Sequence, residues 1–393
     1  MKSPLLPSAD KCCGCSACYA SCPQEAIIMH ADEEGFLQPL VDLSKCVGCG
    51  KCTKSCPVEN PAKSRIPISV FAARAKDENI LTASSSGGVF TLFAERVLKR
   101  GGVVYGAAWN YSSCNVVHRR VTSIEDLEEL KGSKYVQSEM GDIFKRVKRD
   151  ITEGRRVLFS GCPCQVAGLK RYLGYDERNL LTIDLICHGV PSPLSWKAFL
   201  EKRVDDYGAA VSKIISRRYC GWKDYVCMIE FCGSEKKYVR YGQQCTFFRA
   251  FFNDYLNRKS CHECSFRELK SGSDITIGDF WGGEKIFGGL NDNKGISAVL
   301  LNTEKGLDQW NLISEFSKFF RSELKVVCRY NPTVMGNYRR TWKREKFFSL
   351  IKIVDFDTAV RKVDAMGFFR RIRHFAWWLK RLVLHREINK LWL

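Results

Sequence analysis

The sequence predicts a mixed α/β protein in which a small cysteine-organised module at the N-terminus precedes a larger domain with a mixed sheet. Residues 12–57 contain two copies of one cysteine spacing. From Ile68 onward, short apolar segments of strand length alternate with segments of helical length, as expected of a sheet with crossing helices. An apolar fraction of 45% and a charged fraction of 27% over 393 residues lie in the globular range and allow two or three domains with real cores.

The N-terminal module rests on Cys12-x-x-Cys15-x-x-Cys18-x-x-x-Cys22-Pro23 and, 23 residues later, Cys46-x-x-Cys49-x-x-Cys52-x-x-x-Cys56-Pro57. Each half is a run that ligates a 4Fe-4S cubane with its first three thiolates and crosses to a second cubane with its fourth. The short loop curls round one cube and turns backbone N–H groups toward its sulfurs, and the proline then redirects the chain. By that crossing, Cys12, Cys15, Cys18 and Cys56 hold one cluster, while Cys46, Cys49, Cys52 and Cys22 hold the other. Lone Cys-x-x-Cys pairs would be ambiguous with zinc, but two complete runs favour clusters strongly. Cys13 breaks the register and receives no role. This stretch resembles a bacterial two-cluster ferredoxin module.

Twenty cysteines without a signal-peptide core in the first eleven residues, and without 18 consecutive uncharged apolar residues, point to a cytoplasmic, reducing location. Cys114, Cys220, Cys227, Cys232, Cys245 and Cys328 read as isolated core or surface thiols. A formal charge of +19 favours an acidic partner. Without a helix-turn-helix, zinc-finger or RNA-recognition signature, no nucleic-acid partner is expected.

Residues 58–67, with Pro61, Lys63, Arg65 and Pro67, read as a linker. Ile68–Ala75 is an expected strand, and Ser84-Ser85-Ser86-Gly87-Gly88 opens a helix to about Lys99. A small-residue turn into a helix N-terminus suits an anion, because unpaired N–H groups and the helix dipole face outward there; it equally suits a serine cap with a packing glycine pair. Gly102–Trp109 and Asn115–Val121 are expected strands, followed by a short helix at Ser123–Leu130. The turn Lys131-Gly132-Ser133-Lys134-Tyr135 suits a phosphate or a flavin edge, or is a solvated loop. Gly141–Glu153 is an amphipathic helix. The strand Arg156–Phe159 leads through Ser160-Gly161-Cys162-Pro163-Cys164-Gln165 into a helix ending at Leu173, and the strand Leu180–Ile186 leads to Cys187-His188-Gly189-Val190-Pro191. In such parallel units ligands gather at the strands' carboxyl ends, where Cys164 falls. Pro193–Tyr207 is a helix. Val211–Tyr219, Val226–Cys232 and Lys236–Tyr241 are expected antiparallel strands. A helix at Thr246–Leu256 leads to Cys261-His262-Glu263-Cys264, and Asp274–Phe280 is a strand ending in Trp281-Gly282-Gly283. Strand and helix signals continue to about Arg329.

Cys164, Cys187, Cys261 and Cys264 each lie in a turn beyond an apolar segment. Four such thiols suffice for a third cubane or for a tetrahedral zinc, with Cys162 as an alternative to Cys164. At this point six ordered motifs carry a resemblance: Ser85-Ser86-Gly87-Gly88-Val89, Gly132-Ser133-Lys134-Tyr135, Gly161-Cys162-Pro163-Cys164-Gln165, Cys187-His188-Gly189-Val190-Pro191-Ser192-Pro193, Cys261-His262-Glu263-Cys264 and Ser273-Asp274-Ile275-Thr276-Ile277-Gly278-Asp279. Over residues 10–335 the chain resembles the beta subunit of coenzyme F-420-reducing hydrogenase and dehydrogenase, fused to its ferredoxin module.

The resemblance implies FAD in the α/β domain, a 4Fe-4S cluster on Cys164, Cys187, Cys261 and Cys264, and hydride exchange between flavin and an organic substrate. It places the flavin against Ser86, Gly87 and Gly88 and against Gly132, Ser133, Lys134 and Tyr135. Cys162 departs from the threonine usual in the family before Pro-Cys-Gln. The implied division is a two-cluster domain at residues 1–60, the two parts of the flavin domain at 66–150 and 151–335, and a basic tail at 336–393. Clusters pass single electrons and a flavin pairs them. The expected function is therefore electron flow from a ferredoxin-like donor or partner redox subunit, through the clusters and FAD, to an organic acceptor. The alternatives are a non-catalytic electron-transfer subunit and a partner-binding protein with structural zinc. His188 is a candidate proton relay or simply a turn residue; no catalytic acid is assigned.

In residues 368–393, Phe368, Phe369, Ile372, Phe375, Ala376, Leu379, Leu382 and Val383 recur at helical spacing, with seven Lys and Arg against Glu387, a net +6. Such a helix either packs on the domain or lies peripherally on an anionic inner-membrane surface, and packing is the preferred expectation.

Overall fold

The computed structural model describes residues 4–174, 176–217, 225–290, 292–336 and 340–365. Cys220 and the tail at 368–393 lie outside the described residues. Each N-terminal cysteine run closes on a single helical turn, α1 (Ala17–Ser21) and α2 (Lys51–Ser55). Between them lies an antiparallel hairpin of β1 (Ile27–Ala31) and β2 (Leu37–Val41), in which Ile27 faces Val41.

The larger domain is built on an eight-stranded mixed sheet. Its strands are β3 (Ser69–Ala75), β4 (Val103–Asn110), β5 (Asn115–Val121), β6 (Val157–Gly161), β7 (Leu180–Leu185), and, later in the chain, Ile275–Asp279, Ser297–Leu301 and Ser317–Ser322. Between β7 and that last group comes a separate three-stranded antiparallel sheet, β8 (Val211–Ser216), β9 (Val226–Phe231) and β10 (Lys237–Tyr241). Numbering the remaining strands β11 to β13, the order across the large sheet is β13-β3-β12-β11-β7-β6-β4-β5. β4, β6, β7 and β11 run parallel, and antiparallel strands flank them on both sides. The mixed α/β class expected from the sequence is the one observed.

The parallel strands are buried on both faces, which is why they read as nearly continuous apolar runs. Along β4 and β6 the side chains alternate. Val104, Ala108 and Leu158 face one core cluster, with Val89, Phe93 and Val97 of the helix Val89–Lys99. Val103, Tyr105, Val157 and Phe159 face another, with Phe144 and Val147 of the helix Ile143–Thr152 and Val166 and Leu169 of the helix Pro163–Leu173. That second cluster also includes Cys13, Cys15, Ala17 and Ala20, so the N-terminal module is packed into the core of the larger domain.

Several expected boundaries move. The helix predicted from the serine–glycine turn starts only at Val89, and an unpredicted turn, Glu78–Thr82, precedes it, capped by Asp77 Oδ1 accepting from the N–H of Asn79 at 2.8 Å. The helix predicted to reach Leu256 ends at Phe252, after which Asp254 adopts φ 61°. The strand predicted over Val211–Tyr219 ends at Ser216. In the C-terminal part, the helix Trp342–Leu350 and the helical residues 356–365 supply Phe347, Phe348, Phe356, Val360 and Val363 to the same core as Trp196, Phe199 and Phe36. Among the described residues no helix is long and apolar enough to cross a membrane.

Candidate functional site

The cysteines of the N-terminal module line two adjacent cavities. One, of about 210 Å³, is walled by Cys22, Cys46, Cys49 and Cys52 together with Leu5, Ile27, Val41 and Val47. A smaller one is walled by Cys12, Cys13, Cys15, Cys18 and Cys56 with Met29, Pro39 and Val58. The fourth cysteine of each run therefore stands with the first three of the other. Backbone N–H groups point at sulfur, Gly14 to Cys12 Sγ at 3.4 Å and Ala26 to Cys22 Sγ at 3.3 Å. Burial pushes the Cys12 thiol up to about 11 and the Cys18 thiol up to about 12. Thiolates in such a setting need a cation, and these donors fit an iron–sulfur cluster.

A candidate ligand site is a cavity of about 420 Å³ at the carboxyl ends of β6, β7 and β11, beside Gly106 and Ala107 of β4. Ser86, Gly88, Gly132, Ser133, Lys134 and Tyr135 all line it, alongside Cys162, Cys187 and His188. The two turns are joined directly: the N–H of Ser133 donates to Ser85 Oγ at 2.8 Å. Gly87 is the exception among the predicted flavin contacts, because it does not line the cavity. It is wedged between β3 and β12, where an added Cβ would lie 2.3 Å from Ala73 O, and its N–H donates to Ser297 Oγ at 3.0 Å. Lys134 Nζ donates to the carbonyls of Glu129 and Lys131 at 2.9 and 2.8 Å, which pins the basic turn.

Beside the second of these turns, Arg217 donates to Tyr135 Oη at 3.3 Å, pairs with Asp279 at 2.7 Å and covers the ring of Tyr225 at 4.2 Å. Arg217 has φ 56°, a strained conformation for a residue with a Cβ. The last predicted motif is split by this geometry. Asp279, at the end of β11, reaches the cavity, whereas buried Asp274 accepts from the N–H and Oγ1 of Thr182 at 2.9 and 2.7 Å and ties β11 to β7. His188 Nε2 lies 3.0 Å from Asp254 Oδ1, with its ring edge-on to Phe251.

Beneath the turn after β6 runs a buried chain of polar side chains. His118 Nε2–H donates to Ser160 O at 3.0 Å, and Ser138 Oγ donates to His118 Nδ1 at 2.9 Å. Gln165 Nε2 donates to Ser138 Oγ at 2.9 Å, and the N–H of Cys162 donates to Gln165 Oε1 at 2.9 Å. Burial lowers His118 to about 4, so the ring is neutral and this tautomer satisfies every donor along the chain.

Of the four cysteines predicted for a third metal centre, Cys187, Cys261 and Cys264 lie close enough to interact, and the Cys162 thiol interacts with all three, Cys187 foremost. The Cys164 thiol interacts most strongly with Cys13 and also with Cys162 and Cys264, and like Cys264 it packs against the cluster that contains Cys13 and Cys15. Cys162 caps the helix Pro163–Leu173 in an extended conformation, while Cys164 lies inside its first turn. Among the described residues no three His, Cys, Asp or Glu side chains are arranged for a single metal ion.

The cysteine centres are strapped together by Arg258, which is fully buried. Its guanidinium donates to Cys12 O at 2.7 Å, Leu37 O at 2.8 Å and Gln137 Oε1 at 3.1 Å, and its own carbonyl accepts from the N–H of Cys261 at 2.9 Å. A second buried arginine, Arg344, donates to Asn257 O at 2.7 Å and forms a two-pronged pair with Glu34 of the β1–β2 turn.

Sequence reasoning missed His118, Ser138, Arg217, Tyr225 and Arg258, none of which sits in a motif. Gln165 carried a usable signal, because a Gln three residues after a helix cap is half of a capping box.

The family model for the C-terminal part of the coenzyme F420 hydrogenase/dehydrogenase beta subunit matches residues 154–320, and the model for its N-terminal part matches residues 70–145, together more than half of the chain. Two models of a 4Fe-4S dicluster domain match residues 11–60 and 38–96. Among solved structures, a chain of the F420-reducing [NiFe] hydrogenase complex from Methanosarcina barkeri is similar, with 17% identity over 69% of this chain and 90% of that chain and a TM-score of 0.46. A search of curated proteins finds no match. The chain belongs to the coenzyme F420 hydrogenase/dehydrogenase beta-subunit family and carries a 4Fe-4S dicluster domain at its N-terminal end.

Proposed function

We propose that this protein is an iron–sulfur flavoprotein oxidoreductase that takes electrons from a ferredoxin-like donor or partner redox subunit and delivers them to an organic acceptor. The observation that carries this reading is the 420 Å³ cavity, which joins the Ser86–Gly88 and Gly132–Tyr135 turns to Cys162 and Cys187. The residues fit a flavin. Tyr135, Phe251, Phe252 and Trp281 offer aromatic surface, and the N-terminus of the helix Val89–Lys99 offers backbone donors and a positive dipole end for phosphate. Cys12, Cys15, Cys18 and Cys56 would hold one 4Fe-4S cluster, Cys22, Cys46, Cys49 and Cys52 a second, and Cys187, Cys261 and Cys264 with one further thiol a third. Bound clusters would supply one-electron transfers and a bound FAD would pair them for the substrate.

The chain's own residues bind, orient and exclude water. The Arg217–Asp279 pair and the rings of Tyr225 and Tyr135 close one wall of the cavity. Asp254 orients His188 at the cavity edge, where its ring can hold or release a proton beside a bound acceptor. The test is iron, zinc and flavin stoichiometry on protein purified without oxygen. About twelve irons and one FAD per chain support three clusters and a flavin. About eight irons, one zinc and no flavin overturn the enzyme reading. Cys261→Ala is expected to lower the iron content, and an unchanged content removes the third centre. Turnover of the isolated chain with reduced ferredoxin and candidate acceptors separates an enzyme from a subunit that only relays electrons.

A further inference from the structure

We infer that the segment 340–352, with buried Arg344 at its centre, is a positioning element for electron transfer: it holds the β1–β2 hairpin of the N-terminal module against the segment 257–264 and so fixes the gap between the first N-terminal cluster and the third centre. This role rests on the three-cluster reading above and falls to residues beyond the family match, which ends at 320.

The N-terminal module meets the larger domain in two places. On its cysteine side it packs on the helix Pro163–Leu173, so closely at Gly168 that an added Cβ would lie 2.8 Å from Cys15 Sγ. A single patch of this kind leaves the module free to pivot. The hairpin supplies the second contact. Phe36, only 1% exposed, enters the core formed with Phe347, Phe348 and Phe356, and its ring centre lies 6.5 Å from that of Phe348. The turn before it is held tightly as well. Ser192 Oγ donates to Glu34 O, and at Gly35, with φ 82°, an added Cβ would lie 2.5 Å from Leu194 Cβ.

Arg344 ties this turn to the segment that carries Cys261 and Cys264. Its Nη1 donates to Glu34 Oε1 at 2.9 Å, its Nη2 donates to Glu34 Oε2, and its Nε donates to Asn257 O at 2.7 Å. Asn257 directly precedes Arg258, which grips Cys12 O and Leu37 O, and lies four residues before Cys261. On either side, Arg340 pairs with Asp10 at 3.5 Å and Lys352 with Glu33 at 2.6 Å, so three basic residues of one segment meet three acidic residues of the module. The two outer pairs are exposed and weak. The buried pair is the informative one. Apolar side chains of similar volume often replace such a pair without loss of stability, so what its two parallel hydrogen bonds add is one defined docking position. Electron passage falls steeply with the gap between centres, and a fixed gap is what a relay requires. Each passage takes one electron, drawn from a reduced ferredoxin-type donor, from the first cluster's site to the third, with no bond made or broken.

The test uses the full chain purified without oxygen, as the parent and as the double variant Glu34→Met with Arg344→Met, which removes both charges at similar volume. The readouts on iron-replete protein are amide hydrogen exchange across residues 27–41, the thermal unfolding midpoint, and the rate of flavin bleaching after rapid mixing with reduced ferredoxin. Direct photochemical reduction of the flavin serves as the control. Expected are faster exchange in the hairpin and bleaching slowed by about tenfold or more, with iron content and the photochemical control unchanged. A parent bleaching rate in the double variant overturns the inference, and a lowered unfolding midpoint with that rate is what a purely structural pair would give. Slowed bleaching with parent exchange also overturns it, since the hairpin has then kept its place. If the double variant does not fold, Gly35→Ala decides: its methyl group pushes the turn off Leu194 while Arg344 stays in place, and the same slowing is expected. A parent with about eight irons or without flavin overturns the three-cluster flavoprotein reading itself, and analysis of the parent shows this before any variant is compared.

Discussion

Arg258 is a buried cation whose three hydrogen-bond acceptors are neutral oxygens, on Cys12, Leu37 and Gln137. Its charge faces the thiols of Cys12, Cys13 and Cys261, whose ionised forms it favours. Arg258→Met would leave these buried acceptors unpaired and is expected to cost about 3 kcal/mol in urea unfolding. In a variant that still folds, removing a positive charge beside a cluster should shift its reduction potential to more negative values in a redox titration. His118 makes a prediction of known sign. Burial lowers its pKa from 6.5 to about 4, so its neutral form contributes stability that is complete above pH 6.5 and is lost as pH falls through 4. The shift corresponds to about 3 kcal/mol. The unfolding midpoint of the parent should therefore fall more steeply from pH 6.5 to 4 than that of His118→Gln. Asp184, raised to about 6 by burial, works in the opposite direction in both proteins and cancels in the comparison.

At the level of elements, the helix Val89–Lys99 is placed by the glycine before its cap rather than by its own residues. Gly87 lets the chain pass between β3 and β12, with Ala75 N–H donating to Gly87 O at 2.7 Å. Gly87→Val places side-chain atoms against Ala73 O and Ser297, and is expected to cost about 1–3 kcal/mol by overpacking. Because the same turn carries Ser85, which holds Ser133, a flavin titration of Gly87→Val should show weakened binding even though residue 87 does not touch the cavity. Unchanged affinity would separate this turn from the flavin. The helix Pro163–Leu173 serves two neighbours instead, since one end presents Cys162 to the cavity while its flank presents Cys164 and Gly168 to the N-terminal module.

For the whole molecule, the formal charge of +19 bears on association. The second cysteine run is the exposed end of the N-terminal module: Cys49 is exposed, Leu43 and Val47 are 58% and 59% exposed, and Lys45, Lys51 and Lys54 surround them. Reduction of the clusters by an acidic ferredoxin, followed by loss of visible absorbance in a stopped-flow instrument, should slow as salt is raised. Lys51→Glu with Lys54→Glu should slow it further at low salt and flatten the salt dependence. Equal rates in parent and variant would move the entry point elsewhere.

The sequence by itself determined the mixed α/β class and the two cysteine runs, because each is written locally. Thiolate spacing is a property of a few consecutive residues, and strands buried on both faces announce themselves as apolar runs. The serine–glycine and Gly132–Tyr135 turns were legible as turns for the same reason, and the structure brings them to one cavity with Gly87 left behind it. Only the tertiary structure decided which thiols Cys162 and Cys164 each meet, since that depends on how one helix packs against two partners at once. It also decided the places of His118, Arg217 and Arg258. Their partners lie 42 residues away for His118 and Ser160, and 246 residues away for Arg258 and Cys12. Such pairings exist only once the sheet order β7-β6-β4-β5 has formed and the N-terminal module has docked against the helix Pro163–Leu173, and no local spacing encodes either event.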